Sequence, residues 1–88
     1  MDINNMLDAL KVDLGISTTA YDQRLAQYLR SAIDAITIEG ITLDLEKIGD
    51  VNLVIHYAAW IWRKRDSGEG MPRSLRWMLN NRLFSEKV

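Results

Sequence analysis

The stretch from Val51 to Trp62 constrains the fold more than any other part of the chain. Its apolar residues recur at three- and four-residue steps, which is the spacing of one face of an α-helix. A second set, Leu53, Tyr57 and Trp60, lies on another side of the same helix. A helix that is apolar on two sides has to be enclosed by other elements. This segment is therefore predicted to be the central helix of the core.

Three further amphipathic segments are available to enclose it. The first has one apolar stripe from Ile3 to Leu14 and ends at Gly15, the residue type that usually follows a helix. The second has a stripe from Tyr21 to Ile36, and the last begins beside Pro72, a residue favoured at the first turn of a helix. The sequence therefore predicts an all-α fold, a small bundle of four helices with short connections.

All 88 residues are expected to form this single domain, since a chain of this length supports one core. Thr19 and Asp22 have the spacing of a capping pair for the second helix. Asp50 is predicted to cap a third helix that runs from about Asp50 to Asp66. The predicted core residues are Leu10, Leu25, Leu29, Ile33, Val54, Ile55, Ala58, Ile61, Leu75 and Leu79.

The residue inventory points away from catalysis. The chain has no Cys, which excludes a disulfide framework, a thiolate zinc site and a cysteine nucleophile. The single histidine, His56, lies in the most apolar helix without a matching Ser or acid, and we expect it to be half-buried and structural. The acids Asp44, Glu46 and Asp50 do not have the spacing of a calcium loop. We expect no enzyme activity, cofactor or metal site.

Charge is divided unevenly along the chain. Residues 1–62 contain four Lys and Arg against nine Asp and Glu (net −5), whereas residues 63–88 contain seven against three (net +4). The overall charge of −1 argues against general coating of nucleic acid. Cations and aromatics stand close together in the basic part, as they do in protein interfaces and in nucleic-acid sites. The candidate interface residues are Arg63, Lys64, Arg65, Arg73, Arg76, Trp77, Arg82 and Phe84.

The C-terminal block also resembles a known family. It contains the runs YAAWIWRKR at 57–65, GEGMPR at 68–73, LRW at 75–77 and NNRLF at 80–84. These runs resemble the small head–tail connector proteins (adaptor or head-completion proteins) of tailed bacteriophages and prophages. The opening helix and turn, residues 7–16, resemble the same family more loosely.

The resemblance implies a structural virion protein. Connectors of this kind are helical bundles that assemble as a ring on the portal, extend the DNA channel and dock stopper or tail proteins. The implied partners are further copies of the chain in an about twelvefold ring, the portal protein, a stopper or tail-completion protein, and the packaged DNA that passes through the channel. The implied location is the head–tail interface of the virion, with assembly in the bacterial host cytoplasm. The portal contact is expected from the Trp77 and Phe84 face of the last helix, or from the loop at residues 41–48.

Membrane association is not expected, because the longest strongly apolar stretch, Val54 to Trp62, has nine residues and a membrane span needs about 20. Within a ring, the acidic first two helices are expected to meet the basic end of a neighbour, with Arg73 and Arg76 contributing. Two other function classes stay open. One is a DNA-binding protein of helix-turn-helix type that reads DNA with Arg73, Arg76 and Asn80. The other is a helical protein-interaction module.

Overall fold

The computed structural model describes residues 1–87, which form four α-helices and no strand. The helices are α1 (Ile3–Leu14), α2 (Asp22–Ile38), α3 (Ile48–Ser67) and α4 (Arg73–Glu86). The predicted all-α class and the small four-helix bundle are confirmed. Over the described residues, none of the helices has the length and apolar character needed to cross a membrane.

Helices α1, α2 and α3 pack against one another, and α4 lies mainly against α3. Helix α3 is the central element, as its two apolar sides predict, because it contacts every other helix. The buried hydrophobic residues are Met6, Leu10, Leu25, Leu29, Ala32, Ile36, Ile41, Val51, Leu53, Val54, Ile55, Ala58, Ala59, Leu75 and Leu79.

Eight of the ten predicted core residues are in this buried set, and the other two are Ile33 and Ile61. Both are half-buried and pack against the core from outside. Each lies at the edge of the apolar stripe of its helix, so that only part of its side chain reaches the interior.

Two of the four helices end at a glycine. Helix α1 ends at Gly15, whose φ of 70° is in the left-handed region that a residue without Cβ adopts easily. Helix α3 ends in the same way at Gly68, with φ of 65°. Pro72 directly precedes the first residue of α4 and is not itself part of the predicted first turn. Its missing N–H costs no helical hydrogen bond there.

Both predicted helix caps are wrong. Helix α2 begins at Asp22 without a side-chain cap, and Asp22 Oδ1 instead pairs with Lys11 Nζ of α1 at 2.7 Å. Helix α3 begins two residues earlier than predicted, at Ile48, which places Asp50 inside its first turn. The Asp50 carboxylate is turned toward Arg82 of α4. In each case the carboxylate that the local spacing predicts as a cap forms an ion pair with another helix instead.

The loop between α2 and α3 is tied to the fold at several points. Ile41 is buried and anchors this loop in the core. The backbone N–H of Thr42 donates to Glu86 Oε1 at 2.8 Å. The ammonium group of Met1 donates to the Leu45 carbonyl oxygen at 2.7 Å. The loop therefore links the first residue of the chain to the last turn of α4.

Candidate interaction surface on helix α4

The outer face of α4 presents two large aromatic side chains to solvent. Trp77 is 68% exposed and Phe84 is 70% exposed. They are seven residues apart, which places them two turns apart on one side of the helix. On the opposite side, Leu75 and Leu79 are buried. Because exposed apolar patches mark interaction sites, we take the outer face of α4, defined by Trp77 and Phe84, as the candidate interaction surface.

An arginine in the last part of α4 fastens this helix to the rest of the fold. Arg82 Nε donates to Asp50 Oδ1 at 2.8 Å, and Arg82 Nη2 donates to the Thr42 carbonyl oxygen at 2.7 Å. Arg82 Nη1 also donates to Glu86 Oε2 at 3.0 Å. Asp50 in addition accepts the backbone N–H of Asp44 at 2.8 Å. One guanidinium therefore holds α3, α4 and the α2–α3 loop together.

Asp50 is the only buried charged residue among those described, with a side chain that is 6% exposed. Burial by itself raises the pKa of this carboxyl. The hydrogen bonds from Arg82 and from the Asp44 backbone outweigh burial and hold the pKa of Asp50 below its ordinary value. Asp50 is therefore a charged structural residue at pH 7.

A second arginine joins α4 to the end of α2. Arg76 Nη1 and Nη2 donate to Glu39 Oε1 and Oε2 at 3.0 and 3.1 Å, the two-pronged geometry that guanidinium and carboxylate favour. Arg76 Nη1 also lies 3.4 Å from Asn80 Oδ1. Arg76 and Arg82, both predicted as interface residues, are thus engaged in ion pairs within the chain.

The other predicted interface cations divide into two pairs. Lys64 Nζ lies 4.4 Å from the centre of the Trp60 ring, and the Arg65 guanidinium lies 3.4 Å from the centre of the Trp62 ring. These cation–π contacts hold both side chains against the end of α3. Arg63 and Arg73 are exposed, and no acid among residues 1–87 pairs with either one.

These contacts reduce the charge division predicted from the sequence. Two cations of the basic part, Arg76 and Arg82, pair with two acids of the acidic part, Glu39 and Asp50. Without those two pairs, the net charges of −5 and +4 become −3 and +2. The two parts of the chain still have opposite net charges. About half of the difference between them is accounted for by these two ion pairs within the subunit.

An open groove of about 360 Å³ runs beside the outer face of α4. Trp77 and Asn81 line it from α4, and Gly49 and Leu53 line it from α3. Its lining residues are Gly49, Asp50, Leu53, Trp77, Met78, Asn81 and Arg82. The groove follows from the spacing of α3 and α4, and the sequence pattern does not reveal it.

His56 is exposed, which corrects the half-buried position predicted for it, and it borders a separate cavity together with Trp60 and Arg63. No three His, Cys, Asp or Glu residues within 1–87 are close enough to hold a metal ion. The backbone N–H of Asp44 donates to the Asp50 carboxylate, which gives Asp50 a structural role in the loop.

Sequence reasoning missed the partners that organise α4. Glu39, Thr42 and Glu86 were not singled out, although the four-residue step from Arg82 to Glu86 is the spacing of a helical ion pair. This spacing is the one sequence signal that predicts any of these contacts. The contacts of Arg76 with Glu39 and of Arg82 with Thr42 span 37 and 40 residues and follow no local pattern.

The network around Glu86 predicts a loss of stability in acid. Hydrogen bonds from Thr42, together with the pairing with Arg82, lower the pKa of Glu86 to about 2 from the ordinary 4.5. A carboxyl whose pKa is lower in the folded state stabilises the fold above the unfolded pKa, and this contribution is lost as pH falls through the folded pKa. We expect thermal stability to fall between about pH 5 and pH 2, and Glu86→Gln to make that decline shallower.

Thermal unfolding at a series of pH values measures this effect. Asp34→Asn is a matched control, because Asp34 is exposed and has no ion pair among residues 1–87. Equal pH slopes for wild type and Glu86→Gln would contradict the assignment.

Comparison with known protein families, curated proteins and solved structures finds no match to this chain.

Proposed function

We propose that this protein is a structural head–tail connector of the tailed-phage type, which assembles as a ring on a portal protein and docks a stopper or tail protein. The observation that carries the proposal is the outer face of α4, where Trp77 and Phe84 are 68% and 70% exposed on a helix that the Arg82–Asp50 ion pair holds against α3. Exposed aromatics on a rigid element are typical anchors of protein interfaces. The resemblance of residues 57–84 to phage connectors supplies the partner class.

The same geometry favours α4 over the α2–α3 loop as the surface for the portal. Ile41 of the loop is buried, and Thr42 uses both its N–H and its carbonyl oxygen in bonds to α4. Trp77 and Phe84 have no such internal role, and their rings are available to a partner. We therefore propose the outer face of α4, rather than the loop, as the surface that binds the portal.

The DNA-binding alternative receives less support from the geometry. Of its three proposed contacts, Arg76 is held by Glu39 and also bonds Asn80. The exposed rings of Trp77 and Phe84 on the outer face of α4 are apolar, whereas proteins contact DNA phosphates and base edges mainly through polar or charged groups. Protein recognition fits this surface better.

Removal of the two aromatic rings should weaken docking on the portal. We expect Trp77→Ser with Phe84→Ser to weaken portal binding at least about 30-fold, since each central aromatic anchor of an interface contributes roughly 2 kcal/mol or more. The measurement is binding to the portal protein encoded in the same genome, followed by negative-stain imaging of rings on the portal. Val12→Ser is the matched control, since Val12 is 80% exposed on α1, away from α4, and should leave binding unchanged.

Two results would overturn the proposal. One is a wild-type chain that neither binds the portal nor forms a ring on it. The other is a gene neighbourhood that lacks portal, capsid and tail genes. Salt-sensitive binding to duplex DNA without portal binding would favour the DNA-binding alternative instead.

A further inference from the structure

A small cavity lies between the second half of α3 and the first turns of α4. His56, Trp60 and Arg63 line it from α3, where steps of four and three residues place them on one side of the helix. Ser74 and Met78 line it from α4. Its volume is about 140 Å³, less than the roughly 300–1,000 Å³ of pockets that hold drug-sized ligands. The cavity therefore has room for one side chain rather than for a cofactor.

The polar side chains that line the cavity can all donate hydrogen bonds, and none of them is an acid. Arg63 contributes a guanidinium, which has five N–H donors and no acceptor. It is exposed, and it forms no ion pair with any acid of residues 1–87. His56 and Ser74 add an imidazole and a hydroxyl group. The polar part of the cavity is therefore suited to an anionic group.

The remaining wall is apolar and discriminates between kinds of anion. Leu75 is buried, and Trp60 and Met78 are half-buried. Trp60 Nε1 donates to the Gly70 carbonyl oxygen at 3.2 Å, which holds the indole ring in place as part of the wall. A glutamate side chain has two methylene groups to bury against such a wall, whereas a phosphate group has none. The combination of donors and apolar wall therefore fits a glutamate better than a phosphate.

We propose that this cavity binds a glutamate side chain from an acidic segment of a partner protein, with its carboxylate at Arg63 and its methylene groups against Trp60. Opposite charges across an interface select the partner and fix its register. Neither Trp77 nor Phe84 lines the cavity, so the contact leaves the outer face of α4 to the portal. The inference goes beyond the proposed connector function, because it adds a second docking point that does not depend on portal binding.

NMR titration of the full chain measures binding at this cavity, because His56 is the single histidine and its ring signals are unique. The probe is the capped peptide acetyl-Ala-Glu-Ala-amide at pH 7, and acetyl-Ala-Gln-Ala-amide is its uncharged control. We expect saturable shifts of the His56 ring and Trp60 indole signals, and about fivefold weaker binding of the glutamine peptide.

Arg63→Gln should weaken binding of the glutamate peptide about fivefold as well, because it removes the positive charge but keeps much of the side chain. Arg30→Gln is the matched control and should leave binding unchanged, since Arg30 is exposed on α2 and does not line the cavity.

The inference would be overturned by equal affinities for the two peptides, by the absence of saturable shifts at His56, or by an Arg63→Gln chain that binds as the wild type does. Tighter binding of inorganic phosphate than of the glutamate peptide would also overturn it, and would favour a phosphate-bearing ligand. Because the titration contains no portal, its failure leaves the connector function standing. Saturable binding of the peptide by a chain that does not bind the portal would leave this site standing without the connector function.

Discussion

Replacement of Arg82 by alanine should lower the free energy of unfolding by about 3 kcal/mol, the scale found when one partner of a buried ion pair is removed. The loss arises chiefly from Asp50, whose side chain is 6% exposed and would remain charged in the interior without its main partner. The Thr42 carbonyl and Glu86 lose donors at the same time. Chemical denaturation of the variant and the wild type at pH 7 measures the difference.

Arg76→Ala is the matched control, since it removes the same residue type from the same helix. Arg76 and Glu39 are more exposed than the Arg82–Asp50 pair, and we expect a loss of only about 0.2–1 kcal/mol. Adding Asp50→Asn to Arg82→Ala should recover part of the stability, because a neutral amide is less costly to bury than a charge. Equal losses for the two arginine variants would contradict a special role for the Asp50 pair.

Leu79→Ala should destabilise the fold by about 3 kcal/mol, within the range measured for truncation of a buried leucine. Leu79 is 1% exposed and, with Leu75, is one of two buried hydrophobic residues of α4. The cavity would lie where α4 rests on the other helices. We therefore expect faster proteolysis in the 68–72 connection as well as a lower unfolding midpoint, because local opening exposes such segments.

Leu83→Ala provides the comparison, since it truncates the same side chain one turn later at a half-buried position. A smaller loss, about 1 kcal/mol, is expected because less apolar surface returns to water. Equal losses of unfolding free energy for Leu83→Ala and Leu79→Ala would show that burial of Leu79 is not what attaches α4 to the other helices.

The helices could be predicted from the sequence because their signals are local. Apolar stripes at helical spacing identified all four, and Gly15 and Gly68 marked two of the ends through backbone conformations that glycine adopts easily. The central position of α3 followed from its second apolar side. The half-burial of Ile33 and Ile61 could not be predicted, because a stripe does not reveal how far a neighbouring helix covers its edge.

The polar contacts could not be predicted in the same way, because they join distant parts of the chain. Asp50 looked like a cap since caps are recognised from spacing, whereas its actual partner, Arg82, is 32 residues away. For the same reason, the sequence pattern does not reveal that Arg76 pairs with Glu39. Trp77 and Phe84 were identified because two aromatics seven residues apart share a helix face whatever the tertiary structure.

The exposure of Trp77 also gives the protein an internal optical probe. Trp60 and Trp62 are half-buried and lie against Lys64 and Arg65, so their surroundings already differ from water. Trp77 is the tryptophan whose indole is mostly solvated, and its fluorescence responds when a partner covers it. Emission spectra of the unlabelled chain can therefore report docking on the outer face of α4 in real time.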